Sequence, residues 1–407
     1  MMNTERRIVW IAALVQFVNI VDFMIVMPLG PDIAKGLPVS NADIGIICGC
    51  YTLAVAFSGL VLARFLDRFD RKTVAIVAVA GLALATLSAA FAWDLASLVG
   101  ARVLAGCFGG PAAAISLSMV TDAVPPERRG KAMATVMAAF SVSSIAAIPL
   151  GLELARLGSW RTPFYIICVL GLLVLILLIK LAPAMRGHLD HSKGKAVSIG
   201  SLVSKKENIL AFMMMGAAMV SSFLIIPNIS AYFQFNLDYP RSLLGMLYLV
   251  GGVFSLLMIQ LGGRLTDKIG PLVINYIGTI ILIFFLYDGF MHPPFSPLIV
   301  IFVLFMGTVW IRNISAMTEA SKLPAPHERA AFMALLSSMQ HFSNGIGALV
   351  SSAMLKTQVG DSLIGMDKVA TLAIAMALFQ PFLLTKIHAV VLRRSDEDQS
   401  NNIESKT

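Results

Sequence analysis

The sequence is short of charge. Only 13% of its 407 residues are Asp, Glu, Lys or Arg, against 57% apolar, whereas a soluble domain carries about 25% charged residues. So little charge leaves too little polar surface to face water on every side. Cysteine is scarce too. Cys48, Cys50, Cys107 and Cys168 all stand inside apolar runs, and Cys48 and Cys50 are one residue apart, so they form no CxxC redox or zinc pair. They read as small packing residues. There is no HExxH pair, no Ser–His–Asp framework and no phosphate loop. This argues against an enzyme and against direct ATP drive. His188 and His191 are too few for a convincing metal site, so no metal or cofactor is expected. The 31 basic residues exceed the 23 acidic ones by 8. That excess is scattered between apolar runs rather than gathered on a soluble domain, so it reflects membrane topology and not a nucleic-acid partner.

What the chain has instead is long apolar runs. Twelve candidate spans lie near 8–30, 43–64, 73–93, 95–119, 131–154, 162–182, 208–232, 242–263, 272–291, 297–319, 331–355 and 368–390, each close to the ~20 residues that cross a bilayer as a helix. The first follows a short basic N-terminus but is too long for the core of a cleavable signal peptide, and reads as a retained helix. With the N-terminus in the cytoplasm, most Lys and Arg fall in cytoplasmic segments. The opposite side holds only Lys35, Arg156, Arg161, Arg241, Lys356 and Lys368. Both termini are therefore expected inside.

The two halves repeat. Ala63–Lys72 is a charged island between spans two and three, and Gly263–Gly270 echoes it 200 positions later, Asp67 matching Asp267 and Arg68 matching Lys268. Arg129-Gly130-Lys131-Ala132-Met133-Ala134 faces Arg329-Ala330-Ala331-Phe332-Met333-Ala334 at the same offset, and Met27-Pro28 faces Ile226-Pro227 at 199. The expected fold is an all-α polytopic membrane protein, with twelve transmembrane helices in two six-helix pseudo-repeats around a central cavity. The halves are expected over 1–182 and 208–392, joined by a cytoplasmic basic linker at 183–207 and followed by a disordered tail at 393–407. Spans three, six, nine and twelve are poorest in central polar residues and are expected to face lipid, while the polar spans line the cavity.

Asp22 is the most informative residue. It lies about 21 Å along span one from Ile8 at about 1.5 Å per residue, and Arg102 lies about 10 Å into span four by the same rise. The two share a depth and can pair. A poorly hydrated site favours the protonated carboxyl and a nearby Arg opposes it, so substrate arrival can tip the balance and release a proton. The alternative is a static pair that fixes helix packing. Glu153 and His341 are further candidates for proton work; an interfacial position and a hydrogen-bonded packing role are the competing readings. Arg312 either attracts an anionic substrate group or pairs with Glu319. The amides Gln16, Asn19, Asn313, Gln340 and Asn344 can bind substrate or join helices.

The island after span two is similar to the loop signature G-x-L-x-D-R-x-G-R-K of the major facilitator superfamily, with Ala63 and Asp70 in place of its glycines; the second copy keeps Gly263 and Gly270. Arg102-Val103-Leu104-Ala105-Gly106 resembles the R-x-x-Q-G pattern of its drug:proton antiporter and sugar-efflux-like branch, and Ile148-Pro149-Leu150-Gly151 its span-five G-P-x-x-G-G region. The resemblance implies proton-coupled export of a small organic molecule by alternating access, with the proton gradient as energy source and coupling through Arg102. A proton symporter or facilitator taking up a sugar or metabolite is the alternative. It also implies a cytoplasmic gate from Asp67, Arg68, Arg71, Asp122, Asp267 and Lys268, whose contacts across the two halves hold the cytoplasmic side shut when the protein faces outward. Protons, the lipid bilayer and a small molecule are the expected partners of a monomer in a plasma membrane, here a bacterial inner membrane.

Overall fold

The computed structural model describes residues 4–66, 68–186, 199–325, 328–358 and 360–404. Asp67 and residues 187–198 of the central linker lie outside these residues. The N-terminal half comprises α1 (Thr4–Gly36), α2 (Ile44–Leu66), α3 (Arg71–Ala90), α4 (Leu95–Ala123), α5 and α6 (Thr162–Leu181). Helix α5 runs from Pro126–Val142 through a π-helical turn at Ser143–Ala147 into Ile148–Leu157. The C-terminal half begins with α7, in which Lys206–Ile225 passes through a 3₁₀ turn into Ile229–Asn236. It continues with α8 (Leu244–Ile269), α9 (Pro271–Phe290), α10 (Leu298–Ala320), α11 (Arg329–Met354) and α12 (Met366–Glu404). Eleven of these are long and apolar enough to cross a membrane. The other, α11, is 26 residues long and carries Ser337, Ser338, Gln340, His341, Ser343 and Asn344 in its middle.

Helix starts follow the local sequence. Ser40 and Asp43 close a reciprocal capping box ahead of α2, and Asp94 does the same with Ser97 ahead of α4. Asp70, the residue that breaks the loop signature, caps α3 by accepting from the Lys72 N–H at 2.9 Å. It also accepts from the Met185 N–H at 3.0 Å and from Arg186 at 3.2 Å. Partial burial alone would raise this carboxyl, but those donors together hold it below its ordinary value of 3.8. A depressed carboxylate stabilises the fold above its unfolded pKa, and that stability is lost as pH falls through the folded value. Asp70→Asn keeps an acceptor for the cap but loses the charge, and is therefore expected to lower thermal stability at neutral pH by less than the about 0.5–2 kcal/mol that a cap lost to Ala costs. The gap from wild type should close below about pH 4; a constant gap in melting scans would refute the assignment.

The packing repeats under a shift of six helices. The pairs α1–α5, α1–α6, α2–α4, α3–α4 and α3–α6 recur as α7–α11, α7–α12, α8–α10, α9–α10 and α9–α12. The peripheral helices expose aliphatic and aromatic side chains, such as Leu84 on α3, Leu173 on α6, Ile280 on α9 and Phe382 on α12. The halves meet through α2–α11, α5–α8 and α1–α7. Close backbone approach makes the α2–α11 contact: a Cβ on Gly45 would lie 2.4 Å from the Ala348 carbonyl oxygen, and one on Gly345 only 3.0 Å from that of Gly49. The last helix continues to Glu404, past the point at which the polar tail was expected to leave it. Extending an existing helix needs no new nucleus, so polar residues can follow an apolar span without a break.

Candidate functional site

Asp22 and Arg102 meet inside the N-terminal half. Asp22 is 0% exposed and Arg102 1%. Arg102 Nη1 donates to both carboxylate oxygens at 3.0 Å, and Nη2 donates to the Asp22 carbonyl at 3.0 Å. Thr86 Oγ1, from α3, donates to Asp22 Oδ1 at 2.7 Å. The guanidinium lies over the Tyr51 ring at 4.3 Å. Tyr51 in turn stacks on Phe23 at 5.3 Å, and Phe23 stacks on Phe223 at 6.3 Å. Phe223 belongs to α7, so an unbroken chain of contacts runs from the buried ion pair to the opposite half. Shared depth placed the pair within reach of the sequence, but Thr86 and Tyr51 were not, because rise along a helix gives depth and not the neighbour that faces a residue.

The other expected site residues divide. Asn19 presses on Gly109 beside the Tyr51 hydroxyl, and its buried Oδ1 has no protein partner among the described residues. Asn344 Oδ1 and His341 Nδ1 are also buried without one. Gln340 Nε2 donates weakly to Asn313 Oδ1 at 3.4 Å, between α11 and α10. Beside this pair Phe140 meets Trp310 edge-to-face at 4.7 Å across the halves. Gln16 accepts from Ser116 at 3.1 Å and ties α1 to α4.

Two residues stand elsewhere. Glu153 is exposed and bound to Arg156 on its own helix. It shares an exposed stripe with Leu150 and Leu157, whereas Ile148, Gly151, Leu152 and Ala155 are buried. Arg312 is buried but points away from the N-terminal half. Its Nε donates to Thr279 on α9 at 3.0 Å and its Nη2 to the Ala377 carbonyl on α12 at 2.8 Å. Trp310 and Asn313 occupy the inter-half face of α10; Arg312, Ser315 and Glu319 occupy another. Glu319 binds Lys322 and His388 rather than Arg312.

The expected gate residues are spread over both halves. Arg71 donates to Asp122 at 2.9 Å within one half, Arg68 lies in an exposed turn, and Asp267 and Lys268 are exposed at the end of α8. Polar ties between the halves are found on the distal side, opposite the termini. Arg241, before α8, grips both oxygens of Asp32 at the end of α1 and donates to the Leu152 carbonyl at 3.0 Å. Ser40 Oγ is 2.6 Å from Thr357 Oγ1, which accepts from the Ala42 N–H at 3.1 Å. Asn41 Nδ2 donates to the Asp361 carbonyl at 3.0 Å, and Ser352 donates to that of Ala42. Thr357 lies in a two-stranded hairpin, Lys356–Thr357 with Leu363–Ile364, whose other edge is held by Asn236 through two 2.9 Å bonds to Leu363. The hairpin thus straps α7 to the start of α2. In the sequence Arg241 is only an outside charge; nothing in its spacing gives Asp32, 209 positions away, as its partner.

The Major Facilitator Superfamily profile matches residues 12–348. The purine ribonucleoside efflux pump NepI of Shigella sonnei (strain Ss046) is 30% identical over 174 residues; the match spans 43% of this chain and only 44% of the pump's length. An uncharacterized MFS-type transporter of Bacillus subtilis (strain 168), YbcL, is 23% identical and is covered almost end to end, 94% of this chain and 96% of the relative. Among solved structures, an inward-facing bacterial homolog of the human lysosomal transporter Spinster superposes with a TM-score of 0.73 at 16% identity, covering 96% of this chain and 98% of that one. The nucleoside transporter NupG gives 0.74 at 14%, covering 95% and 100%. The profile match over most of the chain, the likeness of fold and the pairing of helices repeated six apart agree: this chain is a multi-pass membrane protein of the Major Facilitator Superfamily, a transporter rather than an enzyme.

Proposed function

We propose that the protein exports a small, neutral, flat organic molecule of the purine ribonucleoside class in exchange for protons. The observation that carries the coupling is the Asp22–Arg102–Thr86 cluster, joined through Tyr51 and Phe23 to Phe223 in the other half. A charge pair so deep in a membrane protein is costly and marks a pathway more often than a packing tie. Protonation of Asp22 removes the charge that holds Arg102. The guanidinium, still over Tyr51, is then free to shift the ring stack that contacts α7. Deprotonation restores the grip and returns the stack.

Support for the substrate class comes from two directions. The first is the 30% identity with a purine ribonucleoside efflux pump over 174 residues. The second is the chemistry near the inter-half face: Asn19 and Asn344 keep unpartnered amide oxygens, and Phe23 and Tyr51 offer ring faces. Amide oxygens accept from ring N–H and sugar hydroxyls, and aromatic faces stack on a heterocycle. The termini side is read as cytoplasmic and the distal side as the closed outer face of an inward-facing state, with a bacterial inner membrane as the site.

Labelled guanosine loaded into proteoliposomes tests both parts. A proton gradient acid on the receiving side is expected to accelerate its movement over matched vesicles at equal pH. Equal rates would overturn the coupling, and no protein-dependent movement of purine ribonucleosides would overturn the class.

A further inference from the structure

The C-terminal half holds a second buried polar system that the inter-half site does not use. Glu319 on α10 is 0% exposed. Its Oε1 lies 2.5 Å from His388 Nδ1 on α12, and its Oε2 accepts from Lys322 Nζ at 2.8 Å. The imidazole is 27% exposed and the ammonium 48%, so the system opens on the termini side. Around it, α7 contributes Phe212 and Met215, α11 contributes Phe332, and α12 contributes Leu384 and Ile387, all apolar. Among the described residues, the charged or titratable side chains bonded to Glu319 are Lys322 and His388.

One helix face leads inward from this mouth. Seven residues back along α10, Arg312 is buried with no ion pair to a carboxylate among the described residues. Between them lie Ser315, Asn275 and Gln380, whose donors all engage the Arg312 carbonyl or one another. Asn275 Oδ1 and Gln380 Oε1 remain buried without a partner. A buried acceptor left unmade costs about 1–3 kcal/mol, a cost that a bridging water would relieve. A static tie between α10 and α12 needs neither the two orphan acceptors nor an ionisable ring at the mouth.

We propose that the Arg312–Gln380–Glu319–His388 seam is a water-bridged proton-exchange site, in which Glu319 and His388 together take up and release one proton on the termini side. The proton comes from water at the mouth and is held between Nδ1 and Oε1. Only N–H and O–H bonds form or break, and Lys322 keeps its charge throughout. The site lies between α9, α10 and α12, away from Asp22, and adds a second titrating centre to the proton-coupled reading. Its test needs no transport, so failure of that reading leaves it standing, and the reverse holds.

Infrared difference spectra of the purified protein, recorded between about pH 5 and pH 8, read the carboxyl and imidazole bands directly. Wild type and Asp22→Asn are expected to share a carboxyl change that is missing in Glu319→Gln. His388→Asn places an amide N–H near the Nδ1 position and keeps the hydrogen bond without the ionisable ring. It should fold, lose the imidazole bands, and move the midpoint of the Glu319 change by about one pH unit or more, the shift that corresponds to about 1.36 kcal/mol of interaction. If the carboxyl change shared by wild type and Asp22→Asn survives in Glu319→Gln, or the midpoint is unmoved in His388→Asn, the proposal is overturned and the pair is a static tie.

Discussion

Asp22→Asn is expected to reduce proton-driven guanosine movement to the level of empty vesicles, while the protein still inserts and purifies. The substitution keeps a carbonyl oxygen for Arg102 and Thr86 but removes both the charge and the exchangeable proton. Asp22→Ala should do more. It leaves the Arg102 guanidinium buried with only the Asp22-position backbone carbonyl and the Tyr51 ring for company, and breaking a buried pair on one side costs about 3–5 kcal/mol. Replacing both members with apolar residues, Asp22→Leu with Arg102→Met, should recover most of that stability, because the uncompensated charge is gone. The double variant is nevertheless expected to be inactive. The pattern separates the two readings of the pair: a packing tie would let the stable double variant transport, whereas a coupling site would not. Thermal unfolding in detergent and flux on the same preparations give both numbers.

The second large effect concerns the distal side. Ser40→Cys with Thr357→Cys, placed in a background lacking the four native cysteines, should form a disulfide under mild oxidation, since the native hydroxyls stand 2.6 Å apart and side chains in contact meet the reach a disulfide requires. The bond would join the hairpin of the C-terminal half to the start of α2. Transport is expected to stop on oxidation and to return fully with reductant, while the unoxidised double variant works. Continued transport by the cross-linked protein would mean that these segments do not separate during the cycle.

The origin of these two sites explains what could be read from the sequence. Twelve apolar runs, a 200-residue echo and the side preferred by Lys and Arg are properties of composition and spacing, and they carried the architecture. The Asp22–Arg102 pair was within reach because two opposite charges stood at one depth in neighbouring spans. Arg312 stood out for the same reason, yet its direction did not follow. Which face of α10 meets the other half depends on how α8, α9 and α12 surround it. A closer signal was present: Arg312, Ser315 and Glu319 fall at helical spacing, as do Asn275 with Thr279, and Gln380 with His388. Asn275, Thr279, Gln380 and His388 sit on spans nine and twelve, read as lipid-facing, and turn inward. Glu153 takes the interfacial position that competed with proton work. The π-helical turn at Ser143–Ala147 changes the register in which the rest of α5 presents its faces. The distal ties were hidden altogether, since Asp32 finds Arg241 only after two independent halves have docked.

The strapped distal side has a thermodynamic consequence. A hydrogen bond contributes about 0.5–1.5 kcal/mol net, and every 1.4 kcal/mol is about a tenfold change in a population. Several ties that must part together therefore leave the opposite, distally open form as a minor state. Substrate arriving from the distal side meets only that minor fraction, and its apparent affinity falls in proportion. Substrate arriving from the termini side meets the majority. Without any difference in the binding residues themselves, the strap makes the transporter a rectifier, in which loading is easy from one side and weak from the other.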